Sequence, residues 1–421
     1  MAPKRLFAHT ALLIAALSAG AAPATPQDRA PATWPTNDPA LGERDWRDAN
    51  DTVGSFERGH IDLLRWEAEN LPTPPEAADE GPRLTAGAAV RAAFAQRPGL
   101  FASNDMSAME RARADVAAVE LAREVQQAWV HAVAAQAALR NAEREFEAAS
   151  LADELAARMT AAGNWGRDRL VGKRLDLADA TVALAHARHA AFAAREALVR
   201  AAALPEDAGR FSLPAALPPL PDAPLSADRI ETEAERGHPL LTVLAIEAER
   251  AEAALPQRER TLWHQISHAA LPAEGDETLP PLPAAPFVDL RRTPLGHDAQ
   301  RALRTRDEAT TLAIRIRSQA REAWHGYTAA YEVAKLLRER ALPLAAERAD
   351  DMLLRYNGML KSTWDLIDST REHIAGETAA LSAERDFWLA HINLQAVLVG
   401  AEHVDTSSGA ARKNRVAAGG H

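Results

Sequence analysis

Residues 125–146 read VQQAWVHAVAAQAALRNAEREF, and this stretch decides the fold. Its seam positions are spaced by about 3.5 residues on average, which is the repeat of helices that pack as a coiled coil. At about 1.5 Å of rise per residue, a helix over residues 110–162 would be roughly 80 Å long, which favours an extended arm over a small bundle. The seam positions are Val125, Trp129, Val133, Gln136, Leu139, Ala142 and Phe146.

This arm belongs to a longer stretch, residues 99–204, that contains no proline. Within it, glycines cluster at Gly163, Gly166 and Gly172. Glycine interrupts helices and permits the positive φ of a tight turn. The pattern therefore predicts two long helices joined by a turn near Gly163.

A second helical region, residues 299–403, repeats the features of the first 195 residues further along the chain. A repeat that keeps its tryptophan, glycine and phenylalanine without a gap indicates internal duplication. We therefore expect two tandem helical hairpins in a mainly all-α protein. The matched positions are Ala128-Trp129 with Ala323-Trp324, Gly163 with Gly358, Phe192 with Phe387, and Leu204 with Val399.

Composition excludes several classes of function. The chain has no cysteine, so disulfides, thiol nucleophiles and cysteine-based zinc sites are impossible. Its net charge of −11 argues against a nucleic-acid partner, because phosphate binding needs a basic surface. Phosphate-binding glycine loops and serine-hydrolase elbows are missing from the sequence as well. We therefore expect that the protein is not an enzyme and that it binds no cofactor.

Near the start of the chain, Lys4 and Arg5 precede an apolar stretch that ends in small residues around position 20. This pattern is typical of an export signal. We therefore expect an exported protein. The predicted segments are a signal peptide (1–24), an irregular proline-rich leader (25–82), a first helical repeat (83–204), a linker (205–226), a second helical repeat (227–403) and a disordered tail (404–421).

The second hairpin carries the sequences RYNGML (355–360) and WDLIDST (364–370), which resemble the hairpin tip of TolC-type outer-membrane efflux proteins. The first hairpin is similar through QAWV (127–130) and AGNW (162–165). The stretch from Leu204 to Pro214 resembles the linker between the family's two repeats.

The resemblance implies a homotrimer whose hairpins form a periplasmic tunnel, with the tips facing a periplasmic adaptor (membrane fusion) protein and an inner-membrane transporter. It further implies tight turns at Gly163 and Gly358. Exposed apolar residues at such a tip would suggest a partner surface. The implied adaptor contacts are Gly163, Asn164, Trp165, Tyr356, Asn357, Gly358, Met359 and Leu360.

Asp365 and Asp368 match the acidic ring that narrows the family's periplasmic entrance. Residues three apart share one face of a helix, and a symmetric ring of such carboxylates would favour cations. The residues alone leave another interpretation open, in which both belong to a solvated helix face with an acidic first turn.

The chain departs from the family in its membrane strands. Between Gly99 and Met106 there is no room for a hairpin of two strands of about 10 residues each. Only residues 261–292 could supply one short β-hairpin. Two functions remain open: an efflux channel component, or a periplasmic coiled-coil protein without a barrel that binds partners but conducts nothing.

The sequence gives little support for a metal-binding site. Glu-x-x-His occurs at Glu57–His60, Glu235–His238 and Glu322–His325, and paired motifs of this kind build di-iron sites in helical bundles. The pairs His186/His189 and His264/His268 have spacing compatible with a metal. With 14 histidines in the chain, such pairs are expected by chance, so we predict no metal site.

Overall fold

A computed structural model describes residues 81–101, 105–204, 211–262 and 296–404. Within these ranges every regular element is a helix, and extended pairing is limited to one isolated parallel bridge between Arg83 and Ser212. The prediction of an all-α protein with tandem hairpins is confirmed. The expected signal peptide, almost all of the leader and most of the tail lie outside the described residues.

The first hairpin consists of α2, Ala108–Ala161, and α3, Arg167–Ala202, preceded by the short helix α1, Ala86–Ala95. A capping box starts α2: the Ser107 hydroxyl accepts from the Glu110 backbone N–H at 3.2 Å, and the Glu110 carboxylate accepts from the Ser107 N–H at 2.8 Å. These bonds satisfy donors that a helix start leaves unpaired. The two helices predicted around Gly163 are therefore present.

The second hairpin is preceded by α4, Ile230–Gly237, and α5, Pro239–Ala253. Its ascending arm is α6, His297–Leu336, a π-helical turn Leu337–Ala341, and α7, Leu342–Asn357. The π turn lies directly before Pro343, which lacks a backbone N–H and interrupts regular α-helical bonding. The descending arm is α8, Thr363–Leu398.

Residues 227–255, at the start of the second repeat, contain two helices in place of a single continuous one. His238 has an extended backbone, φ −89° and ψ 108°, between α4 and α5. The residue before a proline is pushed out of the helical region, so Pro239 ends one helix and starts the next.

The long helices form a layer in the order α3, α2, α8, α6. Helix α2 packs against α3 on one side and α8 on the other, and α8 packs against α6 and α7. This order leaves α3 at one edge of the layer and the α6–α7 arm at the other.

Two apolar clusters hold the layer together at the end away from the tips. The first joins α1, α2, α3 and residues 211–217 to Leu389 and Ile392 of α8, and the second joins α4, α6 and α8 around Tyr327 and Phe387. Trp129 and Trp324 have equivalent roles: their indole N–H groups donate to the carbonyls of Leu84 at 2.9 Å and Leu225 at 3.4 Å.

The predicted short strands lie almost entirely outside the described residues. Thr261 and Leu262, where the first strand was expected to begin, instead complete a helical segment at 257–262. Among the helices of the described ranges, none combines the length and the apolar character that crossing a membrane requires.

Candidate functional site

The first hairpin tip, residues 162–166, is a glycine-based turn. Gly163 has φ +78°, the Gly163 N–H donates to Thr160 at 3.0 Å, and the Asn164 N–H donates to Met159 at 2.9 Å. This pair of bonds is a Schellman motif, which ends a helix with one residue in the left-handed conformation. Gly163 fills that position without steric cost, as the sequence predicted.

The second tip, residues 358–362, has the same hydrogen bonds with a different residue in the left-handed position. Met359 has φ +56°, while Gly358 has a right-handed φ of −77°. The Met359 and Leu360 N–H groups donate to Tyr356 and Arg355, both at 2.9 Å. Gly358 lies in this turn, but the positive φ falls one residue later, at Met359, because α7 continues one residue further than the glycine alignment implied.

The two tips differ in what they present to solvent. Met359 is 94% exposed and Leu360 77%, so the second tip carries an unpacked apolar knob. At the first tip, Gly163 and Asn164 are exposed but offer no large apolar side chain. Tyr356 and Asn357 are half-buried at the end of α7.

Trp165 does not extend freely from the first tip. Its ring stacks on Trp364 of the second hairpin, with centroids 4.2 Å apart and an interplanar angle of 17°. The guanidinium of Arg169 lies 5.5 Å from the Trp165 ring, and the Lys173 ammonium 5.7 Å from the Trp364 ring. Sequence reasoning placed Trp165 toward a partner and did not single out Trp364. No local spacing connects the two, since they belong to different hairpins.

Asp365 has a structural role at the start of α8. Its carboxylate accepts from the Ser362 N–H at 2.9 Å and from the Ser362 hydroxyl at 2.8 Å. These hydrogen bonds, with a smaller contribution from Lys361, lower the pKa of Asp365 below its usual value. Asp368 is exposed one turn further along. The two carboxylates therefore differ: one caps the helix and the other faces solvent.

A chain of ion pairs connects the two hairpins beside the tips. The Arg371 Nε of α8 lies 2.6 Å from the Glu145 carboxylate of α2, and its Nη1 lies 3.7 Å from the Asp176 carboxylate of α3. The same Asp176 oxygen lies 3.0 Å from the Lys173 ammonium. One arginine of the second hairpin thus contacts both helices of the first.

The histidine motifs do not form a metal site in the part of the chain that the structure describes. Glu235 pairs with Arg317 at 3.3 Å, and His238 caps α5 by accepting from the Leu241 N–H at 3.4 Å. Glu322 lies 3.8 Å from His403, a residue outside its motif. The Glu57–His60 and His264/His268 pairs lie outside the described residues, and His186 and His189 are exposed on α3.

The exposed edge of α3 carries a second apolar surface, which we call the α3 seam. Its positions alternate by four and three residues, the coiled-coil spacing, and all are exposed. Leu175 is 61% exposed, Val182 55% and Phe192 64%. Sequence reasoning missed this seam, although the same 3.5-residue count would have found it. The α3 seam consists of Val171, Leu175, Ala178, Val182, Ala185, His189 and Phe192.

The opposite edge of the layer also exposes apolar side chains. On α6, Ile314 is 56% exposed, and Val333 and Leu336 are 53%. On α7, Leu344 is 64% exposed. Each edge of the four-helix layer thus has apolar side chains that the described residues leave exposed.

No protein-family model and no curated protein matches this chain. Solved structures similar in fold include a membrane protein from Pseudomonas aeruginosa, at 15% identity and TM-score 0.49, covering 74% of this chain and 72% of that one. The outer-membrane channel OprN is 17% identical, with TM-score 0.48 and coverages of 75% and 72%. The open Neisseria gonorrhoeae MtrE outer-membrane channel is 18% identical, with TM-score 0.48 and coverages of 76% and 73%.

Proposed function

We propose that this protein is the channel component of an efflux system at the outer membrane or in the periplasm, and that it is not an enzyme. The observation that carries the proposal is the four-helix layer with an uncovered apolar surface at each edge. A surface on one edge that pairs with a different surface on the other edge joins copies head to tail, and such contacts close into a ring when the rotation permits. The motif resemblance favours a ring of three.

Association through the two edges would bury surface that is costly to leave in water. Leu175 and Val182 on the α3 seam and Leu344 on α7 are large apolar side chains that are each more than half exposed. Full burial of an exposed side chain of this kind contributes about 1.5–3 kcal/mol, so the exposed half of each adds roughly 1 kcal/mol and several per interface would support an assembly. The knob-and-hole spacing of the seam fits a helix of the neighbouring copy.

The layer has one face free for conduction. On one side of α2, Trp129 and Val133 pack beneath α1 and residues 211–217. The other side opens into a groove of about 830 Å³ with a floor of small residues, including Ala135 and Ala138 of α2. In a ring this uncovered face would line the lumen. A lining of small side chains with a few charges suits passage rather than selective binding.

The second tip fits the role of docking site for the periplasmic adaptor and, through it, the inner-membrane transporter. Met359 holds a left-handed backbone conformation that glycine would adopt at less cost, and its side chain is 94% exposed. A partner with an apolar pocket would bury Met359 and Leu360. The exposed Asp368 carboxylates, repeated by the ring, would form an acidic entrance beside them.

A conductance measurement tests the channel function. The mature protein is extracted from cell envelopes in detergent, its mass is determined, and it is added to a planar lipid bilayer. We expect a trimer that produces discrete current steps. A soluble periplasmic protein without steps would contradict the channel and favour the barrel-less interaction protein instead.

A further inference from the structure

The apolar clusters that hold the two hairpins together stop well before the tips. In these two clusters the buried α2 residues end at Ala134, and the buried α8 residues begin at Ala383. Helix α2 continues to Ala161, and α8 begins at Thr363. The tip halves of the hairpins are therefore held against each other by something other than these clusters.

A group of contacts between the hairpins occupies this region, and we call it the tip clasp. It begins with the stacked rings of Trp165 and Trp364, whose nearly parallel arrangement at 4.2 Å is a favourable aromatic geometry. The Lys173 ammonium, from the first hairpin, lies 5.7 Å from the ring of Trp364 in the second. A cation over a tryptophan face is attracted by the ring's electrons.

The tip clasp continues through charged groups along the helices. Lys173 bonds Asp176 at 3.0 Å, Asp176 lies 3.7 Å from Arg371, and Arg371 bonds Glu145 at 2.6 Å. The result is an uninterrupted path of contacts from the first tip across both hairpins to α2. The tip clasp consists of Trp165, Lys173, Asp176, Trp364, Arg371 and Glu145.

We propose that the tip clasp fastens the two hairpin tips of one protomer into a single docking platform, with Trp165 and Trp364 as its positioning residues. The docking role rests on the function proposed above. Trp165 lies within the first tip, next to the polar Asn164, and Trp364 lies four residues after Leu360 of the apolar knob. The stack therefore fixes the distance between the two surfaces that a partner would contact.

Distance measurements between the tips test this proposal without any partner. The chain has no cysteine, so Ala161→Cys and Leu354→Cys introduce the only two sites for spin labels. Labelled chains are mixed with excess unlabelled chains, so that only distances within one protomer are measured. We expect a narrow distance distribution that broadens in Trp364→Ala and partly recovers in Trp364→Phe. Leu151→Ala, which removes an exposed apolar side chain of α2 outside the clasp, should leave it narrow.

Circular dichroism provides a second readout that a general loss of folding would not imitate. Two stacked indoles couple their transitions, so the wild type should show a couplet that disappears equally in Trp165→Ala and Trp364→Ala, with the helical signal retained. A distribution that stays narrow in Trp364→Ala, or a couplet that neither substitution affects, would overturn the proposal.

A measurement of adaptor binding then distinguishes a failure of the tip-clasp proposal from a failure of the proposed function on which it rests. If a purified adaptor from the same cell binds the wild type, we expect Trp364→Ala to weaken that binding at least tenfold. Equal affinity of both proteins, despite separated tips, would refute the docking role of the clasp. If no adaptor binds the wild type while Trp364→Ala still broadens the distances, the clasp is retained and the docking function fails.

Discussion

Met359 has a backbone conformation that is unusual for its residue type. Its φ of +56° lies in the left-handed region, which costs an L-residue roughly 1–2 kcal/mol relative to glycine. Because the side chain is 94% exposed, its removal sacrifices little packing. We therefore expect Met359→Gly to raise the stability to urea by up to about 1 kcal/mol, after the greater unfolded-state entropy of glycine is subtracted.

The matched control is the equivalent position of the first tip. Gly163 has φ +78°, and an added Cβ would meet no atom within 4 Å. Gly163→Ala therefore tests only the free-energy cost of holding a residue with a side chain at positive φ. We expect Gly163→Ala to lower stability by about 1 kcal/mol. A loss of stability in Met359→Gly would show that the methionine packs in solution.

We expect His238 and His391 to make the free energy of unfolding depend on pH. Burial lowers the pKa of both side chains. His238 accepts a hydrogen bond at Nδ1, which a protonated ring cannot do, and the buried Nδ1 of His391 has no hydrogen-bond partner among the described residues. The unfolded chain therefore binds protons more readily than the native one. The free energy of unfolding should be constant above about pH 6.5 and should decrease as the pH falls below it.

Thermal unfolding between pH 8 and pH 5 measures this effect. His391→Leu should reduce the dependence of the midpoint on pH, because Tyr327, Phe387 and Trp388 surround the ring with apolar surface. His186→Ala changes an exposed ring and serves as the control. An identical pH slope in wild type and His391→Leu would contradict the interpretation.

At the scale of single elements, the start of α8 depends on its capping box. Ser362 and Asp365 satisfy each other's backbone N–H groups, and Ser→Ala substitutions at such positions weaken the helix start. We expect Ser362→Ala to accelerate amide exchange in the first turn of α8 about fivefold. Ser107→Ala, at the corresponding cap of α2, should act on its own helix only. Unchanged exchange at 363–366 would show that the cap is dispensable.

The α3 seam belongs to the same scale, because a whole helix face carries it. Replacing Leu175 and Val182 by glutamate puts two charges into the surface proposed to meet the neighbouring copy. Burying unpaired charges costs several kcal/mol, so we expect Leu175→Glu/Val182→Glu to be monomeric by light scattering. Ala183→Glu, which is exposed next to the seam, should keep the assembly. An intact assembly in the double variant would exclude α3 from the interface.

At the scale of the whole molecule, closure of the ring can be tested by crosslinking. Val182 and Leu344 lie on opposite edges of the layer, each roughly 20 Å along its helix from the tip. In the cysteine-free chain, Val182→Cys and Leu344→Cys should form disulfides only between copies. We expect crosslinked oligomers no larger than trimers. Crosslinked oligomers larger than trimers would indicate an open helical assembly.

The sequence alone determined the long helices, the two hairpins and the position of each tip. These features depend on local properties: the 3.5-residue spacing around Trp129, the absence of proline in residues 99–204, and glycine at 163. Helix periodicity and turn chemistry act within a few residues of the chain, so they can be read from it directly. The break at Pro239 has the same local origin.

Only the tertiary structure decided what these elements meet. The left-handed residue of the second tip is Met359 rather than Gly358 because the end of α7 is set by the packing and bonding of the whole turn. Trp165 stacks on Trp364, 199 positions away, and Arg371 reaches both Glu145 and Asp176. Contacts between separate hairpins depend on how the helices lie side by side, and the spacing of residues within one helix does not indicate that arrangement.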